Sequence, residues 1–250
     1  MAMELIFEAQ EAAAYEQWLE TPAGQRYLLA SLALVDHVLD CRPGWRVLDV
    51  GCGLGLHLKH LMERGLLCQG LEAGPVLARL ASQRLGDKVE VEVGDAHDLP
   101  YEDNSFDAVI MVNTLELLER RAQALAEAAR VAASRVCLVS FNPFSATRLA
   151  WRLPHLRHPL SSGHPLAVWS LRRLVREVLG PVPLIWAGAT LWPKARVGPW
   201  PLAGLVGVSA AVTPRYMTRP LVVPVASRRR SPRPAHSHGR VTLLSRPDNQ

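Results

Sequence analysis

Between residues 46 and 140, short apolar runs alternate with amphipathic stretches, and this alternation constrains the fold more than any other feature of the chain. The runs RVLDV (46–50), LCQGL (67–71), VEVEV (89–93), FDAVIMV (106–112) and RVCLVS (135–140) have strand length and are rich in Val, Leu and Ile. Residues 55–64, 75–85 and 118–132 carry apolar residues at helical spacing instead. Strand, helix, strand in succession predicts a doubly wound, mostly parallel sheet with helices on both faces and right-handed crossovers. Two helices precede it, at 8–20 and 23–40. In the second, Tyr27, Leu28, Ser31, Leu32, Val35, Val38 and Leu39 fall on one stripe. CRPG at 41–44 ends that helix.

Past residue 141 the pattern loosens. A helix is expected at 166–179, and five of the seven tryptophans (Trp151, Trp169, Trp186, Trp192, Trp200) crowd the surrounding Pro-rich segment. Later strands are expected at 184–191 and at either 219–226 or 239–245. The apolar run PLAGLVGVSAAV (201–212) is too short to span a bilayer and reads as a buried segment or an apolar surface. SRRRSPRPAHSHGR (227–240) has no apolar period and reads as solvated chain. Four regions follow: a helical cap (1–44), a core (45–141), a lid or substrate region with the last strands (142–226), and a basic, flexible tail (227–250).

With 49% hydrophobic and 20% charged residues, the composition is that of a globular chain. Residues 1–120 hold 9 basic and 20 acidic residues, whereas 121–250 hold 19 basic and 3 acidic. Such asymmetry allows an anionic partner, but mutual neutralisation within one fold accounts for it more simply. Cys41, Cys52, Cys68 and Cys137 show no CxxC or metal-ligand spacing. They are expected to be reduced thiols of a cytoplasmic protein, with no metal. The N-terminus is acidic and lacks the basic segment of a secretory leader.

RVLDV runs into GCGLG, a glycine-rich turn at the mouth of a doubly wound sheet, where ligands of such folds bind. A dinucleotide fingerprint needs G-x-G-x-x-G, and Leu56 stands where its last glycine belongs. Asp49, two residues before Gly51, is poor company for a pyrophosphate and suits a cation. D-x-G-x-G-x-G therefore matches a positively charged, phosphate-free cofactor such as S-adenosyl-L-methionine (SAM), which bears a sulfonium and an ammonium. A second acid, Glu72, closes the second strand, where ribose hydroxyls would lie. Asp95 and Ala96 follow the third, where an adenine would be read, and Asn113 ends the fourth.

The segments VLDVGCGLG, GLEAG, GDAHDLPYEDNSFDAVIMVNTLELL and EAARVAASRVCLV, spanning about 45–140, resemble the class I SAM-dependent methyltransferases. They are most similar to the branch containing the ubiquinone and menaquinone biosynthesis methyltransferases. YEQWLETPAGQRY is similar to the N-terminal segment of uncharacterised bacterial members. The resemblance implies a Rossmann-like sheet, mostly parallel with an antiparallel C-terminal strand, N-terminal helices and an irregular C-terminal lid. It implies that Asp49, Gly51 and Gly53 hold the methionine part of SAM, Glu72 the ribose, and Asp95 and Ala96 the adenine. Asn113 would lie near the sulfonium. Cys52 and Ala73 belong to the same two cofactor-contacting loops, and Tyr15 and Trp18 would close over the ligand. Where the family carries a PGG turn before its fifth strand, this chain has AASR (132–135), a shorter turn.

Methyl transfer from a sulfonium requires no protein nucleophile, so Cys52 is expected to be packing. His155, His158, His164 and Glu116 are candidates for a general base, though the histidines read better as solvated loop residues and Glu116 equally as a helix-start charge. The expected acceptor is a small molecule, hydrophobic or aromatic given the Trp-rich segment, and nucleic acid is disfavoured because no RNA-binding module accompanies the basic tail. A methyltransferase of RNA or protein, a non-catalytic SAM-binding module and a nucleotide-dependent oxidoreductase are the alternatives. The sequence carries no sign of oligomeric state.

Overall fold

In a computed structural model, residues 9–150, 163–191 and 194–214 are described. Trp151, Trp192, His155, His158, the candidate strands at 219–226 and 239–245 and the basic tail lie outside them.

Helix α1 (Ala9–Glu20) leads into α2 (Pro22–Leu39). Thr21 caps α2, its hydroxyl accepting from the Gly24 amide at 3.2 Å, and Pro22 supplies the preset first turn. Asp40, in left-handed backbone at φ 46°, stops the helix. Strand β1 (Arg46–Val50), helix α3 (Leu56–Glu63), β2 (Leu67–Glu72), α4 (Pro75–Leu85), β3 (Glu90–Val93), β4 (Phe106–Val112), α5 (Arg121–Val131) and β5 (Ala132–Phe141) follow. Short α6 (Ala146–Ala150), then α7 (Val168–Leu179), β6 (Leu184–Thr190), β7 (Arg196–Gly198) and β8 (Leu205–Ala211) complete the described elements.

The strands form one sheet in the order β3-β2-β1-β4-β5-β8-β6-β7. β1 to β5 pair in parallel, and β8 is antiparallel to both β5 and β6. The chain winds outward from β1 through β2 to β3, then returns to β4 on the other side of β1. Strand order therefore reverses at β1, the place where open α/β sheets bind ligands. The central strands β1, β4 and β5 bury both faces. Val47, Ile110 and Val139 belong to one apolar cluster with Leu34, Val35 and Val38 of α2. Leu48, Val109 and Leu138 belong to another with Leu125 and Ala128 of α5 and Leu171 and Val175 of α7. The period-2 alternation of a strand puts Asp49 on the α2 side, next to nothing but apolar neighbours in sequence.

One sequence expectation changes, and one left open between two readings is decided. AASR forms no turn: α5 ends at Val131 and β5 begins at Ala132, with a register irregularity opposite Phe106–Ala108 taking up the mismatch. The run at 201–212 is no exposed apolar surface. Its residues 205–210 are buried, and they form β8, wedged between β5 and β6. Small residues hid that strand, because Gly207, Ser209 and Ala210 replace the β-branched residues a strand usually shows. A Cβ at Gly207 would stand 3.1 Å from Leu34 Cγ, so the small residue lets α2 lie close on the sheet.

Candidate functional site

The turn after β1 is built by positive φ: 75° at Gly51 and 54° at Gly53, which glycine adopts without strain. The two positions serve different ends. A Cβ on Gly51 would fall 2.5 Å from Thr114 Cγ2, whereas a Cβ on Gly53 would meet nothing within 4 Å. Gly51 lets the turn after β4 close in, and Gly53 bares its backbone to open space. That space is a cleft of about 1050 Å³, open solvent included, at the C-terminal ends of β1 to β4.

Of the eleven residues nominated from the sequence against the cofactor, all but Trp18 line this one cleft. Asp49 is 1% exposed, and neither carboxylate oxygen has a hydrogen-bond partner. Burial, and then the charge of Glu72, push its pKa up to about 8. An unpartnered buried carboxylate is costly, so its presence marks a place where a ligand supplies the missing positive charge or donors. Glu72 is better provided for. Its Oε2 accepts from the Gly53 amide at 2.8 Å and its Oε1 from the Gly74 amide at 3.0 Å. Burial raises its pKa while these amides and that of Ala73 pull it back. Each oxygen keeps a lone pair for a further donor. Asp95, exposed, spends Oδ1 on the His97 amide (2.8 Å) and imidazole (2.7 Å); despite a desolvation cost, these bonds hold its pKa below the usual carboxylate value. Ala96 is buried beside it.

The opposite wall is made of side chains. Asn113, at φ 55° and 4% exposed, accepts from the Tyr27 hydroxyl at 2.7 Å and donates to Glu116 Oε1 at 3.0 Å. Tyr27 bonds in turn to Tyr15. Aromatic contacts continue the wall: Tyr15 stacks on Trp18 at 6.1 Å, Trp18 meets Tyr27 tilted by 54° at 5.3 Å, and Tyr27 stacks on Phe141 at 5.3 Å. Trp18 thus backs the wall and does not itself line the cleft.

The base candidates are placed differently from the cofactor residues. Glu116 is 3% exposed and does not line the cleft. It follows β4 in a short 3-10 turn that points its carboxylate inward to Ser140 and Asn113, so it does not face a substrate. His164 is exposed and meets this region only through its backbone, donating from its amide to Glu116 O at 2.8 Å and accepting from Arg121 at 2.9 Å. Cys52 is buried among Leu58, Leu85 and Val89, with its sulfur over Gly70.

Three further cleft residues escape sequence reasoning: Tyr27, His57 and Thr114. A hydroxyl within the apolar stripe of α2 was the signal for Tyr27. His57 stands in the first turn after the glycines, 3.1 Å from Ser31 Oγ, and burial drives its pKa down to about 4, leaving it neutral. Thr114 donates to Val50 O at 2.9 Å and ties the turn after β4 to the end of β1.

A family model described as a methyltransferase domain matches residues 48–139. Ajmaline N-methyltransferase of Rauvolfia serpentina is 35% identical over 99 residues, covering 37% of this chain and 34% of that protein. The chloroplastic tocopherol O-methyltransferase of Arabidopsis thaliana is 36% identical over 104 residues, 38% of this chain and 30% of that one. The chain thus spans about a third of the length of these curated relatives. A SAM-dependent methyltransferase structure from Thermotoga maritima superposes with a TM-score of 0.66 at 20% identity, covering 80% of this chain and 94% of that one, a likeness of fold. The family match begins in β1 and ends in β5, enclosing the glycine turn, Glu72, Asp95 and Asn113. Residues 48–139 thus match a methyltransferase domain, and the strand order around the acid–glycine turn agrees with the fold of that solved methyltransferase.

Proposed function

We propose that the protein transfers a methyl group from SAM to a small-molecule acceptor. One observation carries this: among the described residues, Asp49, Glu72 and Asp95 line the cleft and no Lys or Arg does. Such a cleft repels a pyrophosphate and attracts a cation. The residues present fit SAM. The unpartnered Asp49 oxygens suit its positive end, Glu72 has lone pairs left for hydroxyl donors, and Gly53 leaves its backbone open to close approach.

When bound, SAM supplies an electrophilic methyl group on its sulfonium. The chain's own contribution is positioning and dryness. Asp49 and Glu72 anchor the cation and the diol, Asp95 and Ala96 hold the base, and the Tyr15–Tyr27 wall keeps water from the opposite side. Leu28, Leu56, Leu117 and Leu118 line the rest of the cleft, which favours a hydrophobic or aromatic acceptor. The relatives, acting on ajmaline and on tocopherol by their names, support the same class. Among the described residues no helix is long and apolar enough to cross a membrane. All four cysteines are unpaired, which favours a reducing compartment, and we place the protein in the cytoplasm.

Calorimetric titration with SAM and with its demethylated product should give dissociation constants near micromolar. Absence of binding at ten times that concentration sinks the proposal. Methyl-labelled SAM incubated with fractionated small-molecule extract should then label a compound that partitions into organic solvent. Label found only in RNA or protein would move the acceptor to a different class.

A further inference from the structure

Of the two buried carboxylates among the described residues, the one with hydrogen-bond partners is not in the cleft. Glu116 lies behind it, its Oε1 accepting from Asn113 Nδ2 and its Oε2 from the Ser140 hydroxyl, which in turn accepts from the Leu166 amide at 2.9 Å. The chain of side chains from this point to the cleft is continuous: Glu116, Asn113, Tyr27, Tyr15.

Its direction follows from one fact of chemistry. An ionised carboxylate can only accept hydrogen bonds. Asn113 must therefore turn its NH2 toward Glu116, which leaves its oxygen facing Tyr27. Tyr27 has one hydroxyl proton, and Asn113 takes it. The bond between the two tyrosines must then be donated by Tyr15. Every dipole in the chain points its negative end toward the cleft. We propose that Glu116 is a positioning residue: acting through Asn113 and Tyr27, it keeps the acceptor side of the tyrosine hydroxyls turned to the cleft and so favours a cationic ligand there. This rests on the function proposed above and names the group that tunes its site from behind.

Protonation would reverse the chain. A carboxyl that has taken up a proton from solvent can donate to Asn113, whose amide turns over and offers NH2 to Tyr27. Tyr27 then donates to Tyr15, and the tyrosine proton faces the cation. Burial pushes the Glu116 pKa up to about 7, with Ser140, Asn113, the Phe141 amide and Arg121 holding it from rising further. The groups facing it are these, together with Tyr27 from α2 and the backbone of Gly163 and His164; Asp49 acts on Tyr27 from the cleft. The reversal therefore falls near neutrality.

SAM affinity measured calorimetrically from about pH 6 to about pH 9 tests this on wild type, Glu116→Gln and Ser140→Ala. Wild-type affinity should weaken about tenfold as pH falls through about 7, beyond the separate dependence that Asp49 imposes near 8 on all three proteins. Glu116→Gln, whose amide can face either way, should bind about tenfold more weakly at high pH and lose the inflection near 7. Ser140→Ala removes a donor to Glu116 and should move that inflection to higher pH. In ligand-free wild type the infrared carboxyl absorption should grow again as pH falls through about 7, beyond the band that Asp49 gives in every variant, and Glu116→Gln should lack this second increase. An unchanged profile in Glu116→Gln, or an unmoved inflection in Ser140→Ala should Glu116→Gln not fold, overturns the proposal alone. Failure of SAM to bind wild type at any pH overturns the proposed function and this inference with it.

Discussion

The two walls of the cleft are made by different means. The β1–β2 wall is backbone and short carboxylates: Gly51 and Gly53 in left-handed conformation, with Glu72 gripping the amides of Gly53 and Gly74. Its parts lie within 26 residues of each other, Asp49 to Gly74. The opposite wall is side chain on side chain. Tyr27 reaches Asn113 across 86 positions, and Glu116 reaches Ser140 across 24. A wall of backbone has no rotamers to lose and tolerates almost no substitution. A wall of side chains can adapt its hydrogen bonding, and its substitutions should weaken the site by steps. The cost is also distributed differently. The first wall leaves Asp49 unpartnered until a ligand arrives, whereas the second satisfies nearly every polar atom within the protein.

Substitutions in the first wall should therefore have the largest effects. Gly51→Val should abolish SAM binding, by more than a hundredfold. It should also destabilise the fold by roughly 2–4 kcal/mol, because φ 75° strains a β-branched residue and the new Cβ meets Thr114. Parallel calorimetry and thermal melts read both losses. A Gly51→Val protein that binds normally would dissolve the contrast between the walls. Asp49→Asn should separate the two losses. It should also weaken SAM more than a hundredfold, but stabilise the ligand-free protein. A carboxyl whose folded pKa is raised to about 8 costs stability as pH rises from the ordinary carboxylate range up to about 8, and the cost is fully present above it. Removing the charge should raise the ligand-free Tm by several degrees at about pH 8.5 and by little at about pH 5. A lowered Tm at the higher pH would mean that Asp49 is structural.

The same contrast decides what the sequence could disclose. RVLDVGCGLG is legible because local backbone geometry dictates it: an acid at a strand end and glycines where φ must be positive. Glu72 and Asp95 are legible because they recur at the ends of successive strands. Tyr27 is not, since its place in an apolar stripe is what a core residue would show, and only its contact with Asn113 reveals its role. Glu116 looked like a group that could face a substrate because the residue after a strand end usually faces the crevice. The 3-10 turn at Leu115–Leu117 turns it inward instead. β8 was hidden by its small residues, and its pairing partners come from elements 64 residues before and 21 before its own start, Phe141 and Leu184. Local periodicity carries no record of such pairings.

Tyr27→Phe probes the second wall and should have an intermediate effect. It deletes the proton given to Asn113 and leaves that buried amide oxygen without its donor. The expected cost is about 1–3 kcal/mol in stability, with SAM affinity down roughly three- to tenfold by calorimetry, well short of Gly51→Val. Loss of binding as complete as in Gly51→Val would mean the side-chain wall is no more adaptable than the backbone one.

The smallest effect should come from a side chain that hydrogen-bonds both α1 and the glycine turn. Arg84, near the end of α4, donates to Leu54 O and to Glu16 Oε1, both at 2.6 Å. A planar guanidinium can serve two acceptors at fixed directions, which an ammonium cannot. The ion pair itself is partly exposed, 26% and 42% for the two side chains, so its direct worth is at most about 1 kcal/mol. What Arg84 adds is a tether: it holds α1, and with it Tyr15, against the turn that carries Gly53. Arg84→Ala should shift Tm by no more than about 2–4 °C and weaken SAM only two- to threefold, through faster ligand dissociation as α1 loosens. Arg84→Lys should recover little of this, because it cannot hold both oxygens. Stopped-flow dissociation of SAM from the two variants distinguishes the cases. If the dissociation rate is unchanged in Arg84→Ala, the apolar packing of α1 against α2 holds it without the Arg84 tether, and the two walls close independently of that salt bridge.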